Sequence, residues 1–183
     1  ASMRSQQFFR KATSWRSMEE RQALGMDSRL ALQAIREAEK DSACRESAEL
    51  WEAKMIAATA SGVPSEVCES AFLECIKRDP RRWSAYGWRL NRETPQWTGR
   101  DMGPFYKQLD RLSKDYGPEV YTACAIWYFR EFYAHREGQF KRIGFKWKRL
   151  EEGFEALDKL YPDNLFLQSM RARFALLYGQ NDV

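Results

Sequence analysis

The chain has 183 residues, 30 Lys and Arg against 26 Asp and Glu, a formal net charge of +4, and 44% hydrophobic and 14% aromatic residues. Those proportions describe a folded unit with a sizeable core and exclude disordered, linker-like and collagen-like chains. The apolar run at residues 123–129 falls far short of the roughly 20 residues that a bilayer-crossing helix needs.

Ala1-Ser2 ahead of Met3 reads as an expression remnant, and no apolar core of a signal peptide follows it. Residues 1–25 carry Phe8, Phe9, Trp15 and Met18 among basic side chains and are expected to form an N-terminal arm or capping helix. Residues 26–183 are expected to form one helical domain. Leu30, Ala31, Ala34, Ile35 and Ala38 recur at offsets of three and four, which predicts a helix over 26–40 with Asp27 or Ser28 as its N-cap. A second helix over 42–60 places Ala48, Trp51, Met55 and Ala58 on one face and closes at Ser61-Gly62-Val63-Pro64. The third opens at Ser65, with Glu66 and Glu69 in its first turn and Cys68, Ala71, Phe72, Cys75 and Ile76 as its apolar face. It stops before Pro80, because proline disfavours helical geometry at Asp79.

Trp83, Ala85, Tyr86 and Leu90 mark a helix ending near Asn91, and a loop rich in turn formers covers 92–103. Phe105, Leu109, Leu112 and Tyr116 predict a helix up to Gly117-Pro118. Val120, Ala123, Cys124, Trp127 and Phe132 line the next, which Gly138 closes, and a loop runs to Gly144. Trp147, Leu150, Phe154, Leu157 and Tyr161 form a three-four-three-four stripe ended by Pro162-Asp163-Asn164. Leu167, Met170, Phe174 and Leu177 mark a further helix before Gly179. Period-two alternation is nowhere sustained, so the expected fold class is all-α.

The side chains exclude much chemistry. Cys44, Cys68, Cys75 and Cys124 form no C-x-x-C pair, and His135 is the single imidazole, so no zinc cluster with close ligand spacing is expected. Cys68 and Cys75 would lie about 10 Å apart along one helix, too far for a disulfide. The cysteines read as small core residues, a usage that fits a reducing cytoplasm. His135 is placed near a helix C-terminus, where a cation complements the dipole. Glu19-Glu20 and Glu151-Glu152 are adjacent on helices and diverge by about 100°, so they do not converge on a substrate. With no phosphate loop, nucleophile elbow or metalloprotease motif, no catalytic residue, metal or cofactor is expected.

Three helices share a spacing. Cys68-x3-Phe72-x2-Cys75-x4-Pro80 and Leu150-x3-Phe154-x2-Leu157-x4-Pro162 superpose without a gap, and Phe105-x3-Leu109-x2-Leu112 reaches Pro118 with one extra residue. This pattern resembles the second helix of the tetratricopeptide repeat, and Trp51 and Ala58 resemble the large and small positions of its first helix. The match is irregular: Leu150 and Leu157 stand where small residues are usual, and the loops at 92–103 and 137–144 are long. The segment Trp147-Lys148-Arg149-Leu150-Glu151-Glu152-Gly153-Phe154, with Tyr161-Pro162-Asp163 and Ala172-Arg173-Phe174-Ala175, is similar to bacterial proteins of this type that carry no assigned activity. The resemblance implies antiparallel helical hairpins stacked as a short, irregular right-handed solenoid.

In that family the first helix of each pair lines a concave groove that holds a peptide or a partner helix. Here those helices are 42–60, 82–91, 118–134 and 165–178. The expected contact residues are Lys54, Arg89, Arg92, Arg130, Arg171 and Arg173, with Tyr86, Trp88, Tyr121 and Tyr128 beside them. Such a groove selects a protein segment that is acidic or ends in a free carboxylate. The alternative is single-stranded nucleic acid. Lys77, Arg78, Arg81, Arg82, Arg89, Arg92 and Arg100 interleave with Trp83, Tyr86, Trp88 and Trp97, and Arg136, Lys141, Arg142, Lys146, Lys148 and Arg149 make a second basic cluster.

Overall fold

The computed structural model describes residues 18–93, 102–133, 140 and 143–180, apart from the side chains of 18–26, 132 and 133. Among the described residues every regular element is helical, as the apolar stripes require. The order is α1 (Met18–Ala38), α2 (Ser42–Arg45), α3 (Ala48–Ser61), α4 (Ser65–Arg78), α5 (Trp83–Asn91), α6 (Gly103–Tyr116), α7 (Pro118–Tyr128), a π-helical turn (Phe129–Tyr133), α8 (Trp147–Leu160) and α9 (Leu165–Tyr178). Contacts divide the chain into two compact units, Ala1–Arg89 and Leu90–Val183.

In the first unit α3 packs against both α1 and α4. Helix α1 starts before the expected position and runs unbroken through residues 25 and 26, so Asp27 and Ser28 lie inside it and do not cap it. Its buried stripe is Ser28, Leu32 and Ile35, whereas Leu30, Ala31 and Ala34 are exposed. Apolar residues occupy two sectors of this helix, and α3 covers only one of them. The single helix expected over 42–60 is interrupted. Asp41 caps α2 by accepting from the Ala43 amide at 2.8 Å, Ser47 is extended, and Trp51 Nε1 donates to the Arg45 carbonyl at 2.8 Å across the break.

The α3–α4 hairpin turns at Gly62, whose φ of 70° suits a residue without a Cβ. The face predicted for α4, Cys68, Ala71, Phe72, Cys75 and Ile76, is the buried one. Small thiols let α3 approach closely: Cys75 Sγ lies 3.4 Å from the Ala48 carbonyl. Phe72 meets Tyr86 edge-on at 5.4 Å, and the Tyr86 hydroxyl donates to the Pro80 carbonyl at 3.0 Å, which fixes α5 on the proline turn.

In the second unit α7 packs on α6 and α8, and α8 packs on α9. Gly117, at φ 111°, is the whole connection between α6 and α7, and Pro118 opens α7 with a φ preset for helix. Flanked on two sides, α7 buries every residue from Val120 through Ile126. Gly153 brings α8 onto the start of α7: a Cβ there would lie 2.6 Å from the Pro118 carbonyl oxygen and would strike Thr122. Thr122 Oγ1 in turn donates to the Leu150 carbonyl at 2.8 Å.

Phe129, Phe140, Phe145, Phe154 and Phe174 form the aromatic core, with Phe140 stacked on both Phe145 and Phe174 at 5.3 and 5.1 Å. The helix expected to continue past Tyr128 widens into the π-helical turn, and its closure at Gly138 and the placement of His135 lie outside the described residues. Tyr116, expected in the α6 stripe, is exposed, because the core ends one turn earlier at Leu112. Asn164 caps α9 by accepting from the Leu167 amide at 3.1 Å, and Gly179 ends it in the left-handed region. The three repeat triplets, Cys68/Phe72/Cys75, Phe105/Leu109/Leu112 and Leu150/Phe154/Leu157, are all buried.

Candidate interaction surface

The expected contact residues fall in both units, and their surroundings separate core, internal ties and surface. In the first unit Tyr86 is a core ring, 1% exposed, which removes it from any contact surface. Lys54 lies 2.5 Å from Glu39 and 5.0 Å above the Trp51 ring, so its ammonium joins α3 to the end of α1. Arg89 Nε lies 2.5 Å from Glu69, a tie between α5 and α4, and Trp88 is half-buried.

Other cations of the basic run beginning at Lys77 are used in the same way. Arg82 bridges Glu49 and Glu52, each at 2.7 Å. Burial opposes the Arg82 charge, but the hydrogen bond and attraction from Glu52, with Glu49 adding to them, outweigh it and hold the guanidinium above its ordinary pKa. Arg78 bonds the Glu74 carboxylate, lowering the pKa of that group, and stacks 5.0 Å from the Trp51 ring. Residues 94–100, including Trp97 and Arg100, lie outside the described residues, as do Arg136, Lys141 and Arg142 of the second cluster.

In the second unit Tyr121 and Tyr128 are buried. Tyr128 packs edge-on against Phe105 at 5.4 Å. Tyr121 meets Phe145 edge-on at 5.7 Å, and its hydroxyl accepts from the Lys146 amide at 3.0 Å. Both rings therefore belong to the core that α7 shares with its neighbours. Arg171 ties α9 to α8 through Asp158 at 3.3 Å and Glu151 at 3.9 Å. Arg92 is half-buried.

Arg130 and Arg173 differ from these: both side chains are exposed. Arg130 sits with its guanidinium carbon 5.4 Å from the Phe166 ring centre, and Arg173 with its own 4.8 Å from that of Phe129. Phe129 and Arg130 are consecutive in the π-helical turn, so the two guanidiniums come from one turn and one helix face, each backed by an aromatic ring. Such stacking restricts the orientation of the guanidinium.

Beside them lies an apolar surface that the repeat spacing does not indicate. Leu165 is 78% and Leu176 72% exposed, and with Ser169 and Ala172 they form a stripe at offsets of four, three and four along α9. The available signal was a second apolar stripe in addition to Leu167, Met170 and Phe174, on a helix with no Asp or Glu from residue 165 to 178.

Among the described residues no three His, Cys, Asp or Glu side chains group as metal ligands, and no helix is long and apolar enough to cross a membrane. Comparison with family models, curated proteins and solved structures finds no match to this chain.

Proposed function

We propose that this chain is a non-enzymatic interaction scaffold built from tetratricopeptide-like helical hairpins, and that it holds an acidic protein segment, or one ending in a free carboxylate, against the exposed side of α9 and the adjacent π-helical turn. The observation that carries this reading is the apolar pair Leu165 and Leu176, exposed on α9 beside Arg130, whose guanidinium is propped on Phe166. Apolar residues exposed together beside polar ones are characteristic of binding surfaces. Arginines held in a fixed geometry give strong, paired hydrogen bonds to carboxylates.

Arg130 and Arg173 belong to the first-helix segments on which the repeat resemblance places partner contacts. Phosphate binding has less support, because Arg78, Arg82 and Arg89 of the basic run are already bonded to carboxylates of the same unit.

The test is affinity capture on the wild-type protein and on the double variant Arg130→Glu, Arg173→Glu, with circular dichroism confirming that both are helical. The wild type is expected to retain acidic partners that the variant loses. A variant that retains every partner removes the reading.

A further inference from the structure

We propose that the second unit carries a further interaction surface, formed by the outer face of α6 and the segment that opens α8, and that it binds the phosphate backbone of a nucleic acid without reading its sequence. This surface is separate from that of α9 and does not rest on it.

The arrangement follows from helix geometry. Lys107, Arg111 and Lys114 stand at offsets of four and three along α6, so at about 100° per residue they share one side of the helix. Phe105, Leu109 and Leu112 are buried on the opposite side, and all three cations are exposed. Lys107 and Lys114 lie about 10 Å apart along the axis.

Two contacts bring the start of α8 alongside α6. The Tyr106 hydroxyl, next to Lys107, donates to the Ile143 carbonyl. One turn later Asp110 holds the Arg149 guanidinium, whose carbon lies 4.3 Å from the centre of the Tyr121 ring. The Tyr121 hydroxyl in turn accepts from the Lys146 amide at 3.0 Å. Lys146 and Lys148 precede Arg149 on this anchored segment, and both are exposed.

The balance of charge separates this face from an ordinary solvated one. Its two carboxylates are engaged, Asp110 by Arg149 and Asp115 by Arg111 at 3.5 Å. Lys107, Lys114, Lys146 and Lys148 make no ion pair among the described residues. Acidic residues in the first turn of a helix complement its dipole, but α8 has none there and carries Lys148 and Arg149 instead. Arg149 is explained by its packing on Tyr121. Lys148 opposes the dipole with no compensating ion pair, and an anion from outside relieves that repulsion.

The chemistry of the face selects among polyanions. A lipid surface is held by cations together with apolar side chains that enter the acyl boundary, and no large apolar residue is exposed between 103 and 115 or between 143 and 149. Carboxylates are best matched by the paired donors of arginine, whereas lysine binds phosphate as a point charge. The unpaired cations here are all lysines. A nucleic acid offers a phosphate at every nucleotide, so a row of lysines meets one in any register.

The experiment is fluorescence anisotropy of labelled oligouridine, oligothymidine and duplex DNA with the full chain over a range of salt. Binding is expected to weaken with salt, with a log–log slope of about −3 on a single strand if Lys107, Lys114, Lys146 and Lys148 each displace a counterion. Lys107→Glu with Lys114→Glu is expected to weaken binding at least about tenfold and to flatten the slope. Lys107→Arg with Lys114→Arg is expected to preserve it. Lys40→Glu with Lys159→Glu changes the net charge equally at exposed positions outside the face and is expected to cost less than about twofold. Lys148→Glu is expected to weaken binding yet raise the urea midpoint, because it returns an acid to the first turn of α8.

Whichever probe binds most tightly identifies the source of the phosphates. Absence of binding to all three at low salt overturns the proposal, as does an equal loss in the Lys40→Glu, Lys159→Glu control. Lysine-dependent binding to phosphatidylserine vesicles with none to the oligonucleotides overturns it in favour of a membrane surface. A lower urea midpoint for Lys148→Glu overturns the assignment of that lysine to a ligand.

Discussion

The Tyr178 hydroxyl is buried and has no hydrogen-bond partner among the described residues. Burial, with the nearby Tyr121 and Tyr106 phenols adding to it, pushes its pKa up to about 12. An unfolded tyrosine ionises near 10, so between about 10 and 12 the unfolded chain releases a proton that the folded chain keeps. Stability present below about pH 10 is therefore lost as pH rises toward 12. Tyr178→Phe is expected to flatten that alkaline decline and, by removing an unsatisfied buried hydroxyl, to raise stability at neutral pH by on the order of 1 kcal/mol. Urea unfolding at neutral and at alkaline pH measures both effects.

The cysteines give a second residue-scale prediction. Cys68, Cys75 and Cys124 are buried as expected, but Cys44 on α2 is only half-buried, because the break before α3 turns that short helix away from the core. Burial, assisted by the Glu52 charge, pushes the Cys75 thiol up to about 12, and burial alone also raises the pKa of Cys124. Alkylation requires a reachable thiolate. The native protein is expected to take up one iodoacetamide label by intact mass, and Cys44→Ser none, with the other three thiols reacting only on unfolding.

Among elements, α8 depends on a glycine in its middle. Gly153→Ala would gain about 1 kcal/mol of helix propensity, but the added Cβ meets the Pro118 carbonyl, a backbone atom, at 2.6 Å. Overpacking of this kind costs about 1–3 kcal/mol, and displacing Thr122 also endangers its bond to Leu150. The clash outweighs the propensity, so the variant is expected to be less stable by about 1–2 kcal/mol, read as a lower urea midpoint with unchanged slope.

The elements most legible in the sequence were those with one apolar stripe and clear punctuation. The buried set of α4 agrees residue for residue, because Pro64 and Pro80 bound it and its apolar residues other than Val67 and Leu73 recur on one face. Helix α1 was harder to read, since two of its sectors are apolar and nothing local says which one α3 covers. The break between α2 and α3 depends on Trp51 reaching back to Arg45, and the π-helical turn on packing of Phe129 against Phe140 and Phe174. Neither contact leaves a mark in periodicity.

For the whole molecule the excess charge of +4 is small, and its effect depends on where cations remain exposed. Lys54, Arg82, Arg89 and Arg171 were legible as basic residues, but their carboxylate partners come from other helices and could be found only after folding. The side chains of Arg130 and Arg173 are exposed, while Tyr86, Tyr121 and Tyr128 enter the core, because an aromatic ring suits a core as well as an interface.

The proposed capture of an acidic partner at the α9 surface is expected to be sensitive to salt. The screening length shrinks from about 30 Å at 0.01 M to about 8 Å at physiological ionic strength. Association rates measured by stopped flow should fall over that range while dissociation rates change less. Arg130→Glu with Arg173→Glu should remove most of the salt dependence.

The single-residue link at Gly117 bears on how the protein is made. Residues 62–64 join α3 to α4 and residues 161–164 join α8 to α9, so these hairpins, like α6 with α7, pair helices that are neighbours in the chain. Contacts between such near neighbours form quickly, because little loop entropy is lost in closing them. A hairpin that leaves the ribosome can therefore close before the next has been synthesised, which shortens the time its apolar stripes spend open to misassembly with other nascent chains.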